Sequence, residues 1–213
     1  GDAGALARFI AGGCDKLITH PNVVNASDVN ELPENGLYVE GSVITSLMMG
    51  TTGLQEVSSN RVMLVMDKRE EHQIPELSIN TVSTARAAVG IDCPLVVELD
   101  EPIMMEAKYS PSGCAVGRIE ALENLCNVMQ RYRNEYDAVA LHTGIDVPNE
   151  FHLEYLKSRG EMVNPWGGVE AMLTHSLTMM FGVPTAHAPM VKNLEIANLH
   201  AGADSRRPSL DGH

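Results

Sequence analysis

Short apolar runs alternate with longer amphipathic stretches along most of the chain. The short runs are typical of buried strands, whereas the longer stretches carry apolar residues at the three- and four-residue spacing of one helix face. Strands that alternate with helices in this way are typical of βαβ units, in which neighbouring strands run parallel. The pattern therefore predicts an α/β fold, a mostly parallel and doubly wound Rossmann-like three-layer sandwich.

The predicted strands follow the apolar runs. Arg61–Met66, which reads Arg-Val-Met-Leu-Val-Met, is the most strand-like segment of the chain. A polar break separates Leu95–Leu99 from Ile103–Tyr109, so these two are expected to form a hairpin or an antiparallel edge. Leu37–Val39 is a shorter strand. Four strands are expected side by side in the interior of the sheet: Lys16–Thr19, Arg61–Met66, Ala138–Leu141 and Val183–Ala186.

The amphipathic stretches predict the helices. Pro75–Val89 has a proline in its first turn and Gly90 just beyond its end, the usual asymmetry between helix start and helix end. Ile119–Tyr132 carries apolar residues at helical spacing along one face. The other predicted helices are Ala3–Ala11, Val43–Met49, Glu150–Arg159 and Gly168–Phe181. Together the elements predict one α/β domain over residues 1–190 and a poorly structured tail over residues 191–213.

The charge of the chain excludes one class of function. The 213 residues include 15 Lys and Arg and 28 Asp and Glu, which gives a formal net charge of −13. A general nucleic-acid binder needs clustered basic residues to release counterions from phosphates, so no nucleic-acid partner is expected. No apolar run approaches the roughly 20 residues of a membrane span, and the N-terminus lacks the layout of a signal peptide. We therefore expect a cytoplasmic protein with no membrane partner.

The cysteines indicate neither a zinc site nor a disulfide framework. None of the four has the Cys-x-x-Cys spacing of a zinc knuckle, and a chain of this length does not need disulfides to stabilise its core. Reduced thiols are therefore expected at Cys14, Cys93, Cys114 and Cys126.

Polar residues stand at the ends of the predicted strands. In doubly wound sheets, ligands bind outside the carboxyl ends of the parallel strands. Asp67 is the weakest of these candidates, because the charged residues after it are typical of a solvated surface loop. The six residues that follow directly on predicted strands are His20, Glu40, Asp67, Ser110, His142 and His187.

Two strand ends carry a histidine. His20 precedes Asn22 and Asn25, whose amides both donate and accept hydrogen bonds, and His187 ends the last strand. If the two strands are parallel near-neighbours, about 4.8 Å apart, both rings can reach one ligand. Each position also has a structural interpretation, since an Asn-rich loop can cap the next element and a strand-end histidine can be a satisfied structural donor.

Glu40 completes this candidate set. Glu40, Gly41 and Ser42 lie where a strand turns into a helix, and a glycine there lets a ligand approach the backbone closely. Alternatively, the carboxylate simply stabilises the helix N-terminus. With His20 and His187, Glu40 is suited either to general acid–base catalysis or to binding a divalent metal, although no compact ligand motif supports the metal.

The small-residue segment from Ser110 to Gly117 is a candidate anion site. It is expected to precede a helix, a layout in which backbone N–H groups and the helix dipole receive an anion. Ser110, Ser112 and Gly113 are its candidate substrate-binding residues, and a plain connecting turn is the alternative. The sequence contains neither Gly-x-x-x-x-Gly-Lys-Ser/Thr nor Gly-x-Gly-x-x-Gly, so neither ATP nor a dinucleotide is indicated.

The chain resembles an uncharacterised family, a domain of unknown function found in bacteria and plants. The phrases that carry the resemblance are His20-Pro21-Asn22-Val23-Val24-Asn25, Leu37-Tyr38-Val39-Glu40-Gly41, Ser110-Pro111-Ser112-Gly113 and Ala186-His187-Ala188-Pro189. The resemblance implies positions rather than a reaction, since it places His20, Asn22, Asn25, Glu40, Gly41 and His187 in one site. It also implies strand and helix units before residue 1 and after residue 200, which would leave the sheet incomplete at both ends and its open edge paired with another chain.

These observations lead to one functional hypothesis and one alternative. The hypothesis is a small-molecule enzyme, an acid–base or metal-assisted lyase, isomerase or hydrolase, that acts on a compact anionic metabolite such as a carboxylate. The alternative is a non-catalytic ligand-binding or assembly subunit. In either case we expect a homo-oligomer or a pair with a second chain.

Overall fold

In this computed structural model the structure is described for residues 4–20, 32–57, 59–68, 73–158, 162–188 and 190. Helices and strands alternate along these residues. The described helices are α1 Gly4–Ala11, α2 Gly41–Met48, α3 Gln73–Val89, α4 Leu122–Arg131, α5 Asn149–Ser158 and α6 Gly167–Phe181. The described strands are β1 Leu17–Thr19, β2 Gly36–Tyr38, β3 Val62–Met66, β4 Leu95–Glu98, β5 Met104–Tyr109, β6 Ala115–Glu120, β7 Ala138–His142 and β8 Thr185–His187.

The central sheet is parallel. Within the described residues it has four strands in the order β4-β3-β7-β8, and each strand pairs in parallel with its neighbour. Strand β3 is apolar throughout because both faces of the sheet are covered there. Met63 and Val65 point to one face, whereas Leu64 and Met66 point to the other. The predicted α/β class with a parallel sheet is confirmed.

Helices pack on both faces of this sheet. On the first face, Met63 and Val65 belong to the same buried cluster as Leu125 of α4 and Leu173 of α6. On the second face, Val82 of α3 packs against the opposite side chains of β3. The layers of helix, sheet and helix form a Rossmann-like sandwich, in which the carboxyl ends of the strands lie along one edge.

Strand β1 lies outside the central sheet in the described residues. It pairs in parallel with β2, with Ile18 opposite Leu37. Of the four strands expected side by side, three lie together as β3, β7 and β8, but the placement of Lys16–Thr19 among them is wrong. A three-residue run is enough to indicate a strand, but its pattern is too short to specify the partner.

The expected pairing of Leu95–Leu99 with Ile103–Tyr109 is also wrong. Strand β4 joins the central sheet, and its pairing continues where the Leu99 N–H donates to the Met66 carbonyl at 2.9 Å. Strand β5 instead forms an antiparallel hairpin with β6. A turn-like break between two runs therefore did not identify the strands that pair.

The predicted helix Ile119–Tyr132 begins too early. Ile119 lies in β6, and α4 starts at Leu122 after Ala121, whose φ of 57° interrupts the chain direction. Ile119 packs against the core from the strand, just as it would from a helix face, so its apolar character did not distinguish the two. The other five predicted helices agree with the structure to within two residues at each end.

Helix α6 is held closely between the hairpin and β8. A Cβ at Gly117 of β6 would lie 2.4 Å from a side-chain carbon of α6, and one at Gly168 would lie 2.3 Å from the Ala115 carbonyl oxygen. On the other side, the buried Thr185 hydroxyl donates to the Thr174 carbonyl at 3.0 Å. These contacts fix the position of the polar side chains that α6 carries.

Two further expectations concern the ends of the chain and membranes. The predicted tail, residues 191–213, lies outside the described residues. Across the part of the chain that the structure describes, no helix combines the length and the apolar character needed to span a bilayer.

Candidate active site

Glu40 lies at the centre of the candidate active site. It is the N-cap of α2, with extended φ and ψ of −61° and 141°. The Ser42 backbone N–H donates to Glu40 Oε2 at 2.8 Å, and the Ser42 hydroxyl donates to the same oxygen. Glu40 therefore caps α2, as the structural interpretation proposed, because its carboxylate accepts a hydrogen bond from a free N–H of the first helical turn. This hydrogen bond uses one of the two carboxylate oxygens.

The other carboxylate oxygen binds a histidine of α6. His175 Nδ1 donates to Glu40 Oε1 across 135 residues of sequence. The Glu40 side chain is 5% exposed, whereas that of His175 is 45% exposed. A carboxylate on Nδ1 fixes the orientation and tautomer of an imidazole and leaves Nε2, on the opposite side of the ring, to accept a proton. The pair is thus an accessible imidazole oriented by a buried carboxylate.

His20 and His175 converge on Gly41. A Cβ on Gly41 would lie 3.3 Å from His175 Cε1 and 3.4 Å from His20 Cδ2. Glycine therefore allows both rings to approach the same point of the backbone. His20 follows β1 and Gly41 follows β2, so the carboxyl ends of this parallel pair bring together two of the residues predicted from the sequence.

Burial lowers the pKa of His20. The raising effects of Glu40 and Glu170 are smaller than the desolvation, and the charge of His175 adds to the lowering. His20 is therefore a neutral imidazole near pH 7, in the form that accepts a proton.

The pKa of Glu40 is also lowered, for a different reason. Burial alone would raise it, but the hydrogen bonds from Ser42 and the interaction with His175 together outweigh that effect. Glu40 is therefore ionised near neutral pH and holds His175 as a carboxylate.

A second histidine–carboxylate pair joins β8 to α6. His187 Nδ1 donates to Glu170 Oε1 at 3.1 Å, and its Nε2 lies 2.9 Å from Thr143 Oγ1 and 3.2 Å from the Thr143 carbonyl oxygen. The side chains of His187 and Glu170 are 1% and 15% exposed. Both ring nitrogens of His187 have protein partners, so direct contact with a ligand would first require these hydrogen bonds to break. A ligand shared by His20 and His187 stays a prediction.

Asp67 is buried rather than solvated. It is 0% exposed, and its two oxygens accept the backbone N–H groups of Ile103 at 3.2 Å and Gly144 at 2.8 Å. The surface-loop interpretation of Asp67 is therefore wrong. The charged residues that follow Asp67 in sequence suggested a solvated loop. The Asp67 carboxylate instead connects the end of β3 to two neighbouring segments through hydrogen bonds.

His142 ends β7 on the other side of the sheet from His187. It lies in register with Met66, which packs in the cluster on the α3 face, whereas His187 lies in register with Leu141, which packs on the α6 face. His142 Nδ1 is 3.0 Å from the Ala188 carbonyl oxygen. The structure thus separates these two strand-end histidines.

The segment from Ser110 to Gly113 is the turn of the β5–β6 hairpin. It leads into a strand, so the expectation that it precedes a helix is wrong, and with it the argument from a helix dipole fails. The Ser110 N–H donates to the Cys114 carbonyl at 2.8 Å, the Ser110 and Ser112 hydroxyls are 2.8 Å apart, and Gly113 supplies the positive φ of 80°. Small residues here suit a tight turn as well as an anion loop. Substrate binding by Ser110, Ser112 and Gly113 stays a prediction.

Substrate binding by the two asparagines and binding of a divalent metal both stay predictions. Asn22 and Asn25 lie outside the described residues. Within the described ranges, no group of three or more His, Cys, Asp or Glu side chains is arranged to hold a metal ion. Of the candidate ligands, Glu40 and His187 already use their polar atoms in hydrogen bonds within the protein.

The sequence reasoning missed His175 and Glu170. Both lie inside α6, whereas the search followed strand ends. A signal was present, because α6 reads GGVEAMLTHSLTMMF and is apolar nearly all round, so that a glutamate and a histidine within it stand out. Titratable residues in such a helix need a partner and are candidates for a site.

Comparison with known proteins places the chain among proteins without an assigned activity. The model of a family described as "Protein of unknown function (DUF3326)" matches residues 1–205. An uncharacterized lipoprotein of Synechococcus sp. is 33% identical over 201 residues, which cover 92% of this chain and 55% of that protein. The chain thus spans about half the length of the curated relative it matches. No solved structure matches it.

The name of this relative corrects the expected location. A cytoplasmic protein was expected from the net charge and from the lack of a long apolar run, but the Synechococcus relative is named a lipoprotein. That expectation is therefore wrong. Net charge and apolar runs do not reveal a lipid anchor, because a covalently attached lipid leaves both of them unchanged.

Proposed function

We propose that this chain, which belongs to the DUF3326 family of proteins of unknown function, is an acid–base enzyme that transfers a proton on a small carboxylic acid. One observation carries the proposal. An imidazole oriented by a carboxylate, His175 with Glu40, and a neutral imidazole, His20, converge on the same glycine.

The arrangement supplies the two groups that proton transfer needs. His175, with Nδ1 bonded to Glu40, returns a proton from Nε2, because the ionised carboxylate stabilises its imidazolium form. The His20 ring approaches the same point of Gly41 as His175 and, in its neutral form, removes the proton from carbon. Such a pair suits a lyase or isomerase, in which one group removes a proton and the other returns one.

The substrate class follows from the charges in the site. A C–H bond becomes acidic enough for an imidazole base when it is next to a carbonyl group, and the imidazolium of His175 pairs with a carboxylate. Glu40 and Glu170 repel an anion, but each is hydrogen-bonded to a histidine. We therefore favour a compact acid with one carboxylate over a multiply charged anion. The name of the Synechococcus relative supports action at a membrane surface.

Solvent exchange tests the proposal without knowledge of the product. The protein is incubated in D2O with a panel of 2-oxo, 3-oxo and 2-hydroxy acids, and loss of the C–H signal is followed by proton NMR. We expect exchange of at least one acid, and a loss of about 10²- to 10⁴-fold in His175→Ala and Glu40→Gln. His142→Gln, at a histidine on the other face of the sheet, is the matched control and should retain the activity.

Two outcomes would contradict the proposal. If no acid exchanges, or if His175→Ala exchanges as fast as the unchanged protein, the site does not transfer protons on carbon acids. A ligand that raises the melting temperature without any exchange would instead favour the alternative, a non-catalytic ligand-binding or assembly subunit.

A further inference from the structure

Strand β8 is attached to α6 at two points. Thr185 and His187 alternate with Ala186 along the strand, so both point to the α6 face of the sheet. His187 Nδ1 donates to Glu170 at 3.1 Å, and the Thr185 hydroxyl donates to the Thr174 carbonyl at 3.0 Å. The two acceptors are four residues apart on α6, about one helical turn, so they lie on the same side of the helix. Two attachments on one side fix the rotation of α6 about its own axis.

The attachment at Thr174 is a chain of two hydroxyls whose donors and acceptors have one order. Each threonine hydroxyl carries one proton. Thr185 gives its proton to the Thr174 carbonyl, which can only accept, and the Thr178 hydroxyl lies 2.7 Å from the Thr185 hydroxyl. Thr178 therefore donates to Thr185. Thr185 and Thr174 are 5% and 7% exposed, so water cannot easily replace these hydrogen bonds.

The Thr174 carbonyl is covalently part of the backbone that carries His175. This carbonyl and the His175 N–H belong to one planar peptide unit, so a hydrogen bond to the carbonyl restricts the His175 backbone. Successive residues of a helix are about 100° apart around its axis, so His175 points away from the side that meets β8. In that direction its Nδ1 donates to Glu40 at the start of α2.

We infer that Thr185 is a positioning residue for His175, because its hydroxyl fixes the rotation of α6 and so aligns His175 with Glu40. The inference rests on the proposed function, in which His175 returns a proton from Nε2. Thr185 acts through the backbone of α6 rather than by contact with a ligand. Since a displacement of 1 Å can cost about 10²-fold in rate, a hydrogen bond on the far side of the helix can influence the reaction.

The test removes the hydroxyl of Thr185 and keeps the shape of the side chain. Thr185→Val replaces the hydroxyl with a methyl group of similar size. The Nδ1–H proton of His175 is followed by NMR in the full chain without a ligand, and its signal is identified by its loss in His175→Gln. A hydrogen bond to a carboxylate moves such a signal downfield and slows its exchange with water. We expect the signal to broaden or disappear in Thr185→Val and to persist in Thr185→Ser, which keeps the hydroxyl.

Tyr136→Phe is the matched control, because it also removes a buried hydroxyl that donates to a helix carbonyl. The Tyr136 hydroxyl donates to Met129 of α4 at 3.0 Å, the same length as the bond from Thr185, and Tyr136 is 2% exposed. The two variants should lower the melting temperature by similar amounts, but Tyr136→Phe should keep the His175 signal. A merely structural Thr185 would give the same result at His175 in both variants.

The exchange assay with the panel of acids measures the consequence for the rate. Thr185→Val should lower kcat by about 5- to 20-fold with little change in KM, whereas Tyr136→Phe should change neither. Thr178→Val removes only the donor to Thr185 and should give a smaller loss in the same direction.

The inference is overturned if Thr185→Val keeps both the His175 signal and the kcat of Tyr136→Phe. If Thr185→Val does not fold, Thr178→Val takes its place, and an unchanged signal and rate in that variant contradict the inference equally. The NMR measurement needs no substrate, so it separates this inference from the proposed function. Loss of the His175 signal in Thr185→Val of a protein that exchanges none of the acids would support the role of Thr185 while contradicting the enzyme proposal.

Discussion

The two histidine–carboxylate pairs on α6 have similar chemistry and opposite surroundings. In the first, the helix supplies the imidazole, which is 45% exposed, and the carboxylate of Glu40 comes from the N-cap of α2. In the second, the helix supplies the carboxylate of Glu170, and the imidazole of His187 comes from β8 and is 1% exposed. Accessibility, rather than residue type, distinguishes the two pairs, because a ligand can reach the imidazole of the first pair but not that of the second.

The difference follows from the elements that carry each pair. β8 belongs to the central sheet, and helices cover the face on which His187 lies. Because buried polar groups are costly without partners, His187 is hydrogen-bonded at both ring nitrogens. His20 and Glu40 follow the two-stranded pair β1–β2, which is less buried, and His175 faces them from α6. The central sheet is thus a rigid support, and the smaller pair of strands presents the accessible groups.

The largest expected difference between the pairs is in stability. His187→Ala leaves the carboxylate of Glu170 without its donor and Thr143 without its partner, each a buried polar group, at a cost of roughly 1–3 kcal/mol apiece. We expect a loss of about 3 kcal/mol, which is roughly 6–12 °C in melting temperature for a chain of this size. Thermal unfolding followed by circular dichroism measures it.

The matched variant for this comparison is His175→Ala. That imidazole is half exposed and water can replace its contact with Glu40, so the melting temperature should fall by less than about half as much. Equal losses in the two variants would show that the exposed pair is as structural as the buried one. The comparison between the pairs would then fail.

Much of the fold was predictable, because burial on both faces makes β3 and β7 nearly continuous apolar runs. The pairing partners of short strands were not predictable, because a run of three residues such as β1 is compatible with several neighbouring strands. Strand β6 was missed for a related reason. Its glycine at position 117 was taken as a loop residue, whereas a Cβ there would lie 1.9 Å from the Glu106 carbonyl oxygen of β5 and 2.4 Å from a side-chain carbon of α6.

The candidate site was predictable in part, for a physical reason. The carboxyl ends of parallel strands lie at one edge of a sheet, so the residues that follow them were predictable as candidates. These residues are His20, Glu40, Gly41 and Ser42. His175 and Glu170 were not found, because their partners are defined by how α6 packs, and that contact joins residues far apart in sequence. The position of a helix over a sheet has no short-range signal.

A smaller effect is expected where the accessible rings meet. In Gly41→Ala the new methyl group would lie 3.3 Å from His175 and 3.4 Å from His20, so each ring must move by a few tenths of an ångström. A displacement of 1 Å can cost about 10²-fold in rate, and we expect a loss of several-fold in kcat for the exchange reaction with the melting temperature nearly unchanged.

The control for this variant is Gly53→Ala, at a glycine with open space around the position of its Cβ. It should change neither rate nor stability. If Gly41→Ala is as active as Gly53→Ala, the two rings do not need their observed separation. The accessible pair would then be no better placed for catalysis than the buried one.

The smallest effect concerns the link between Ser42 and the charge of Glu40. The pKa of Glu40 is lowered although burial acts to raise it, because the hydrogen bonds from Ser42 and the interaction with His175 favour the carboxylate. A carboxylate with a lowered pKa adds stability that is fully present above its unfolded pKa and is lost as pH falls through the folded value. Ser42→Ala removes the hydroxyl but keeps the backbone N–H, so the folded pKa should rise towards the unfolded one.

The stability cost of Ser42→Ala should therefore depend on pH. At pH 7 we expect a loss of about 0.5–1.5 kcal/mol, the usual contribution of one hydrogen bond, and the loss should shrink as pH falls and Glu40 takes up its proton. Denaturant unfolding at pH 7 and pH 3 measures the two values. Ser46→Ala is the matched control, because that hydroxyl donates to the Ser42 carbonyl at 2.9 Å, an acceptor that does not titrate, and its effect should be the same at both values. A cost of Ser42→Ala that is equal at pH 7 and pH 3 would mean that the hydroxyl acts on the backbone of α2 and not on the carboxylate that orients His175.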